Sequence, residues 1–388
     1  MIKKLRWTKA IALVLALGLG LSVSAQENYK HISKEDSVKV FPGGEQYKVK
    51  QFKANFKGKK PKNIIFMIGD GMGIAQVFGG MTANGGKLFL ENFKYVGFSR
   101  TQSADNYVTD SAAGGTALSS GYKTYNGAIG VDMNKKSQPN IREYAEEKGI
   151  ATGVISTSAI THATPASFMA HQPQRKMYEE IAGDFLNTNV DVFIGGGYDH
   201  FTKRKDGRNL AKELKDKGYK VLRDMKEIAK VKDGKLAGLT APTHNPRYEE
   251  RGDMLPVATQ TALNILDNDK DGFFLMVEGS QIDWGGHQND THFVVNEMLD
   301  FDRAIGVALE FAAKNKETLI VVTADHETGG MAVLGGKYKS GMVKGGYATG
   351  HHSGVPVPVF AFGPGAEEFM GFMENIDIPK KLKAMMKR

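Results

Sequence analysis

The chain has 388 residues, 51 Lys and Arg against 43 Asp and Glu, 41% hydrophobic side chains and no cysteine. That composition excludes a disulfide-stapled scaffold and thiolate metal sites, so any metal must rest on histidine, carboxylate or hydroxyl groups. The formal net charge of +8 is no sign of a nucleic acid partner, because the basic residues are scattered and the runs at 57–62 and 380–388 read as solvated segments.

In chain order, residues 1–25 read as an export signal. Lys3, Lys4, Arg6 and Lys9 precede an apolar run over 11–21, and Ser22, Val23, Ser24 and Ala25 offer a small-residue cleavage site. The run is short for a bilayer span, and no later segment is long enough either. The expected mature chain is 26–388, periplasmic or secreted, with no membrane span. Removing the four basic residues of the signal lowers the formal charge from +8 to +4. Residues 26–60 are polar and lysine-rich, expected as a leader strand or loop.

An almost continuous apolar run then covers 63–68, and similar runs recur at 151–156, 190–194, 273–277, 319–323 and 357–362. Such runs suit strands buried on both faces. Helical patterns at 141–148, 176–187, 255–267 and 293–313 alternate with them. The alternation predicts an α/β fold, with a large central, mostly parallel sheet and helices on both faces. With no repeat and no low-complexity linker, 26–388 reads as a single catalytic domain carrying a polar excursion around 199–254.

The chemistry gathers behind the apolar runs. Asp70 ends the first, Glu278 the fourth, and Asp325 with His326 the fifth. Ligands of open α/β sheets bind beyond the carboxyl ends of strands, and three carboxylates there repel unless cations sit among them. Each acid taken alone is as readily a helix cap. Asp283 and His287 stand four apart, on one face of a helical turn, a half-site for zinc that one histidine of His351-His352 can complete. Asp110 and Ser111 precede small residues that lead into a helix. Either residue can cap it, or Ser111 is a nucleophile over an anion site at the helix N-terminus. No G-x-S-x-G elbow supplies a base, so an active serine here needs a metal to lower its pKa.

Gly69-Asp70-Gly71-Met72, Thr109-Asp110-Ser111-Ala112, Thr161-His162-Ala163-Thr164-Pro165, Glu278-Gly279, Asp283 with His287, Thr323-Ala324-Asp325-His326 and His352-Ser353-Gly354 resemble, in order, the motifs of alkaline phosphatases. The resemblance implies that fold, a phosphomonoesterase and three metal sites. One zinc would bind Asp283, His287 and His352. A second zinc would bind Asp70, Asp325 and His326, with Ser111 as its reactive ligand. Magnesium would bind Asp70, Thr164 and Glu278. Arg175 matches the arginine that grips phosphate, its planar fork suiting two non-bridging oxygens. Small phosphate monoesters are the implied substrates, and a homodimer the implied assembly. His162 stands where the best-known enterobacterial form has an aspartate near magnesium, which makes zinc a competitor there. Trp284 replaces a lysine near phosphate, so product should be held less tightly. The rivals are a phosphodiesterase of the same superfamily and a non-enzymatic periplasmic phosphate or metal binder.

Overall fold

The structure, a computed structural model, describes residues 38–386 except 54, 55, 57 and 58. The export-signal reading of residues 1–25 lies outside the described residues.

The strands, in chain order, are β1 (Lys39–Phe41), β2 (Asn63–Gly69), β3 (Tyr95–Arg100), β4 (Ala151–Ala159), β5 (Val192–Gly196), β6 (Lys220–Leu222), β7 (Leu236–Leu239) and β8 (Phe273–Gly279). They continue with β9 (Thr318–Thr323), β10 (Glu327–Thr328), β11 (Met331–Lys337), β12 (Met342–Tyr347), β13 (His352–Ser353), β14 (Val357–Phe362) and β15 (Gly371–Glu374). Ten of them form one sheet in the order β15-β3-β14-β9-β2-β8-β4-β5-β7-β6. Only β14 runs antiparallel to its neighbours, β3 and β9. The remaining neighbours pair in parallel.

The unbroken apolar runs have a direct cause. In β2, Ile65 and Met67 enter one core with Leu275 and Ile320, while Ile64, Phe66 and Ile68 enter the other with Phe274 and Leu319. Both faces are therefore dry, and side chains of either parity must be apolar. Helices Met254–Leu266 and Thr291–Asn315 cover the first face through Leu255, Ala262, Ile305 and Leu309. Helices Ser111–Ser120, Ile141–Glu147, Tyr178–Asp184 and Asp377–Met385 cover the second through Leu118, Ile141, Ile181 and Leu382.

Outside the long runs the structure adds elements with no continuous apolar signature. β3 alternates between exposed and buried positions, and β1 joins β12 and β11 in a small antiparallel sheet. Residues 199–254 supply β6 and β7, which extend the large sheet beyond β5. The register matters most at the centre. Ile68 of β2 pairs with Glu278 of β8 and with Thr323 of β9, and Ser156 of β4 pairs with Glu278. The carboxyl ends of β9, β2 and β8 thus lie at one level beside Ser156 of β4, which runs on to Ala159, and the residues at these ends meet at that edge.

Candidate active site and metal centres

Asp70, Glu278, Asp325 and His326 are fully buried at this edge, and Asp283, Ser111, Thr164 and His162 nearly so. Three clusters emerge in which ligand atoms lie within 4.8 Å of one another: Asp283 with His287 and His352, Asp70 with Asp325 and His326, and Asp70 with His162 and Glu278. Thr164 Oγ1 donates to Asp70 Oδ2 at 3.4 Å, so this threonine borders the third cluster. His351 is exposed while His352 turns inward.

Asp283 and His287 sit on helix Gln281–His287, and β13 brings up His352. Asp283 Oδ1 lies 3.4 Å from Nε2 of both histidines, and the two Nε2 atoms are 3.1 Å apart. Each imidazole is fixed from behind: His287 Nδ1 is 2.8 Å from Gly350 O, and His352 Nδ1 is 2.8 Å from Thr109 O. A carbonyl only accepts, so in the neutral rings Nδ1 carries the proton and both Nε2 lone pairs face each other. That arrangement is repulsive without a cation and is the usual orientation of metal-binding histidine. The residues fit a zinc ion.

The second cluster also fits. His326 Nε2 lies 3.4 Å from Asp70 Oδ1, 3.2 Å from Asp325 Oδ2 and 3.2 Å from Ser111 Oγ. A Ser-His-Asp triad places the carboxylate on the opposite nitrogen from the serine. Here serine and both carboxylates converge on one nitrogen, while Nδ1 faces Thr328 Oγ1 at 3.2 Å. The geometry is that of ligands around a common point. Asp70 Oδ1, Asp325 Oδ2 and Glu278 Oε1 are buried without a hydrogen-bond donor, which is costly unless a cation satisfies them.

The electrostatics agree. Burial, then Asp325, Asp283 and Glu278, push the Asp70 carboxyl well above its ordinary range. Burial also pushes Glu278 up to about 7, against the hydrogen bonds from Ser156 and Ser280. Those hydroxyls donate to Oε2 at 2.6 and 2.5 Å, which leaves Oε1 turned toward the third cluster. Asp283 is buried too, yet the His352 contact with His326 and His287 nearby hold it below the carboxylate range.

Ser111 opens helix Ser111–Ser120. Asp110 is the cap, accepting from Ala113 N at 2.9 Å. The small residues have a packing cause: a Cβ on Gly114 would stand 3.1 Å from the Asp325 side chain and carbonyl. The helix can therefore approach Asp325 by backbone. Asp110 Oδ2 also pairs with Arg175 Nη1 at 3.0 Å, while Arg175 Nη2 lies 3.3 Å from His162 Nε2. Trp284 stands edge-to-face with His162, ring centres 6.0 Å apart.

The sequence carries no signal for Thr328, which donates to Asp283 Oδ1 at 2.5 Å, nor for the carbonyls of Gly350 and Thr109. Glu327 lies outside the motifs as well; it is buried and bonded to Gln76, Gly330 N, Met331 N and the Ser353 hydroxyl, which ties the His352 strand in place. Its adjacency to Asp325-His326 was the one available hint.

The alkaline phosphatase family profile matches residues 61–345. Alkaline phosphatase 3 of Bacillus subtilis (strain 168) is 37% identical, over 83% of this chain and 88% of that protein. The solved alkaline phosphatase of the Antarctic bacterium TAB5 is 43% identical, covering 85% of this chain and 99% of that one, with a TM-score of 0.80. A mutant of that enzyme with one histidine replaced by aspartate has Mg bound in its M3 site; it is 42% identical over the same shares, again with a TM-score of 0.80.

Proposed function

The chain belongs to the alkaline phosphatase family and is a phosphomonoester hydrolase, and from that premise we propose that it works through a phosphoserine at Ser111 with three bound metals. The observation that carries this reading is the Ser111 hydroxyl itself, 1% exposed and facing His326 Nε2 at 3.2 Å among buried carboxylates. Asp283, His287 and His352 would hold one zinc, Asp70, Asp325 and His326 another, and Asp70, Thr164 and Glu278 magnesium. When bound, such ions hold charge on the attacking and leaving oxygens and lower the pKa of a hydroxyl or water.

In the first step Ser111 Oγ attacks phosphorus, the ester P–O bond breaks, and the alcohol leaves with a proton. In the second, water attacks the phosphoserine and the serine oxygen departs, releasing inorganic phosphate. Arg175, held by Asp110, would bind two non-bridging oxygens through its fork. The Ser111 backbone N–H, at the N-terminus of helix Ser111–Ser120, would face the same charge, while those of Ala113 and Gly114 are taken by Asp110. His162 at the third site makes zinc a competitor for magnesium. The Mg found in a TAB5 mutant whose histidine became aspartate is in keeping with that. Export directed by residues 1–25, a single catalytic domain over 26–388 and a homodimer belong to the same reading.

The test compares an aryl phosphate monoester with the matching diester at alkaline pH, using zinc- and magnesium-loaded protein. The monoester should be strongly preferred, and Ser111→Ala should reduce its turnover to background. A diester preference, or a Ser111→Ala variant as active as the parent, would overturn the reading.

A further inference from the structure

We propose that His244 is a positioning residue for this site, its ring setting the angle at which Trp284 and His162 meet Arg175 and a bound phosphate. The inference rests on the phosphatase reading for the ligand alone; the placement of the rings stands apart from it.

His244 comes from the polar excursion, in the loop after β7. That loop is tied to the site by Gln281, whose Nε2 donates to Asn245 O at 3.0 Å and Thr157 O at 3.1 Å. Ala159 N donates to His244 Nδ1 at 3.1 Å. A backbone N–H only donates, so Nδ1 is bare and the proton sits on Nε2. The bond pins the imidazole to the end of β4, three residues before His162.

The pinned ring then meets both neighbours edge-on. Its centre lies 4.9 Å from that of Trp284 at 86°, and 5.4 Å from that of His162 at 85°. His162 and Trp284 face each other at 88°. These are the spacings at which the positive edge of one ring meets the negative face of another. His162 comes from the turn after β4, whereas Trp284 rides on helix Gln281–His287 beside Asp283. His162 Nδ1 is buried with no hydrogen-bond partner, so the two ring contacts and Arg175 fix its orientation. One imidazole from a distant stretch of chain therefore controls the relation between two side chains on separate elements.

The test uses the metal-loaded full chain with Trp7→Phe, which leaves Trp284 as the one fluorophore of its kind. His244→Ala and His244→Asn are compared with it by acrylamide quenching, by inhibition with inorganic phosphate, and by kcat and KM on an aryl phosphate. Asn keeps an acceptor near the place of Nδ1 and loses only the ring. Both variants should make Trp284 more quenchable and weaken phosphate inhibition by about two- to tenfold, the scale of one lost aromatic pair, with KM moving more than kcat. If His244→Asn restores the parent's values, the residue is only a loop anchor and the proposal is overturned. Unchanged quenching in both variants overturns it as well. If His244→Ala does not fold, His244→Asn decides alone. Raised quenching in both variants, in a metal-loaded parent that does not turn over the aryl phosphate, would uphold the placement of His244 and overturn the phosphatase reading instead.

Discussion

Arg175 is engaged at both ends of its guanidinium, by Asp110 at 3.0 Å and His162 at 3.3 Å, so its fork is aimed before any anion arrives. Asp110 does two things at once, because Oδ1 caps the Ser111 helix and accepts from Gly127 N at 3.0 Å while Oδ2 holds the arginine. The start of helix Ser111–Ser120 and the guanidinium proposed to grip the anion are thereby joined through one carboxylate. Arg175→Ala should lower kcat/KM for phosphate monoesters by about ten- to a hundredfold, the cost of charged hydrogen bonds. Arg175→Lys should recover little of it, because a point charge cannot replace a planar fork. Steady-state kinetics of the two variants, with full recovery in the lysine form as the contrary result, would decide the matter.

Two helices show how differently glycine serves an element. Gly114 lies where helix Ser111–Ser120 crosses Asp325, with only 3.1 Å available to a Cβ. Gly183, in helix Tyr178–Asp184, has nothing within 4 Å. Gly183→Ala should raise stability by about 0.5–1 kcal/mol, since the helix gains propensity at no packing cost. Gly114→Ala gains the same propensity but pushes the helix away from Asp325, an overpacking cost of about 1–3 kcal/mol. Its activity should therefore fall well beyond any change in melting temperature. Thermal melts and kcat/KM on both variants test this, and an active Gly114→Ala enzyme would show that the close approach is not needed.

Over the whole molecule, the largest conflict is the set of carboxylates buried at the end of a dry sheet. Asp70 and Glu278 have raised pKa values, so the folded chain binds these protons more tightly than the unfolded one. Stability of the metal-free protein therefore falls as pH rises, for Glu278 across the interval from 4.5 to about 7. Metal bound only to the folded state should offset this by about 2.7 kcal/mol per site at a hundredfold excess over Kd. Chelated protein should thus lose melting temperature over that interval more steeply than loaded protein, in which buried carboxyls away from the ions, Asp300 and Asp302 at about 6, still titrate. Parallel curves would place the ions elsewhere. The long buried strands, the alternation of strand and helix, and the acids and histidines at the strand ends could be read in advance, because burial on both faces forces apolar runs and strand ends carry their residues to one edge. The sequence alone therefore determined the α/β class and named the residues at that edge. Tertiary structure decided their company, since the carbonyls of Gly350 and Thr109 and the hydroxyls of Ser156, Ser280 and Thr328 act by position and leave no pattern. It also decided the place of His244, which reaches the site only because β7 pairs with β5 and the loop after β7 folds back over the sheet edge. Local periodicity reports which face of an element is dry, but contacts between distant segments depend on strand order, which no local pattern carries.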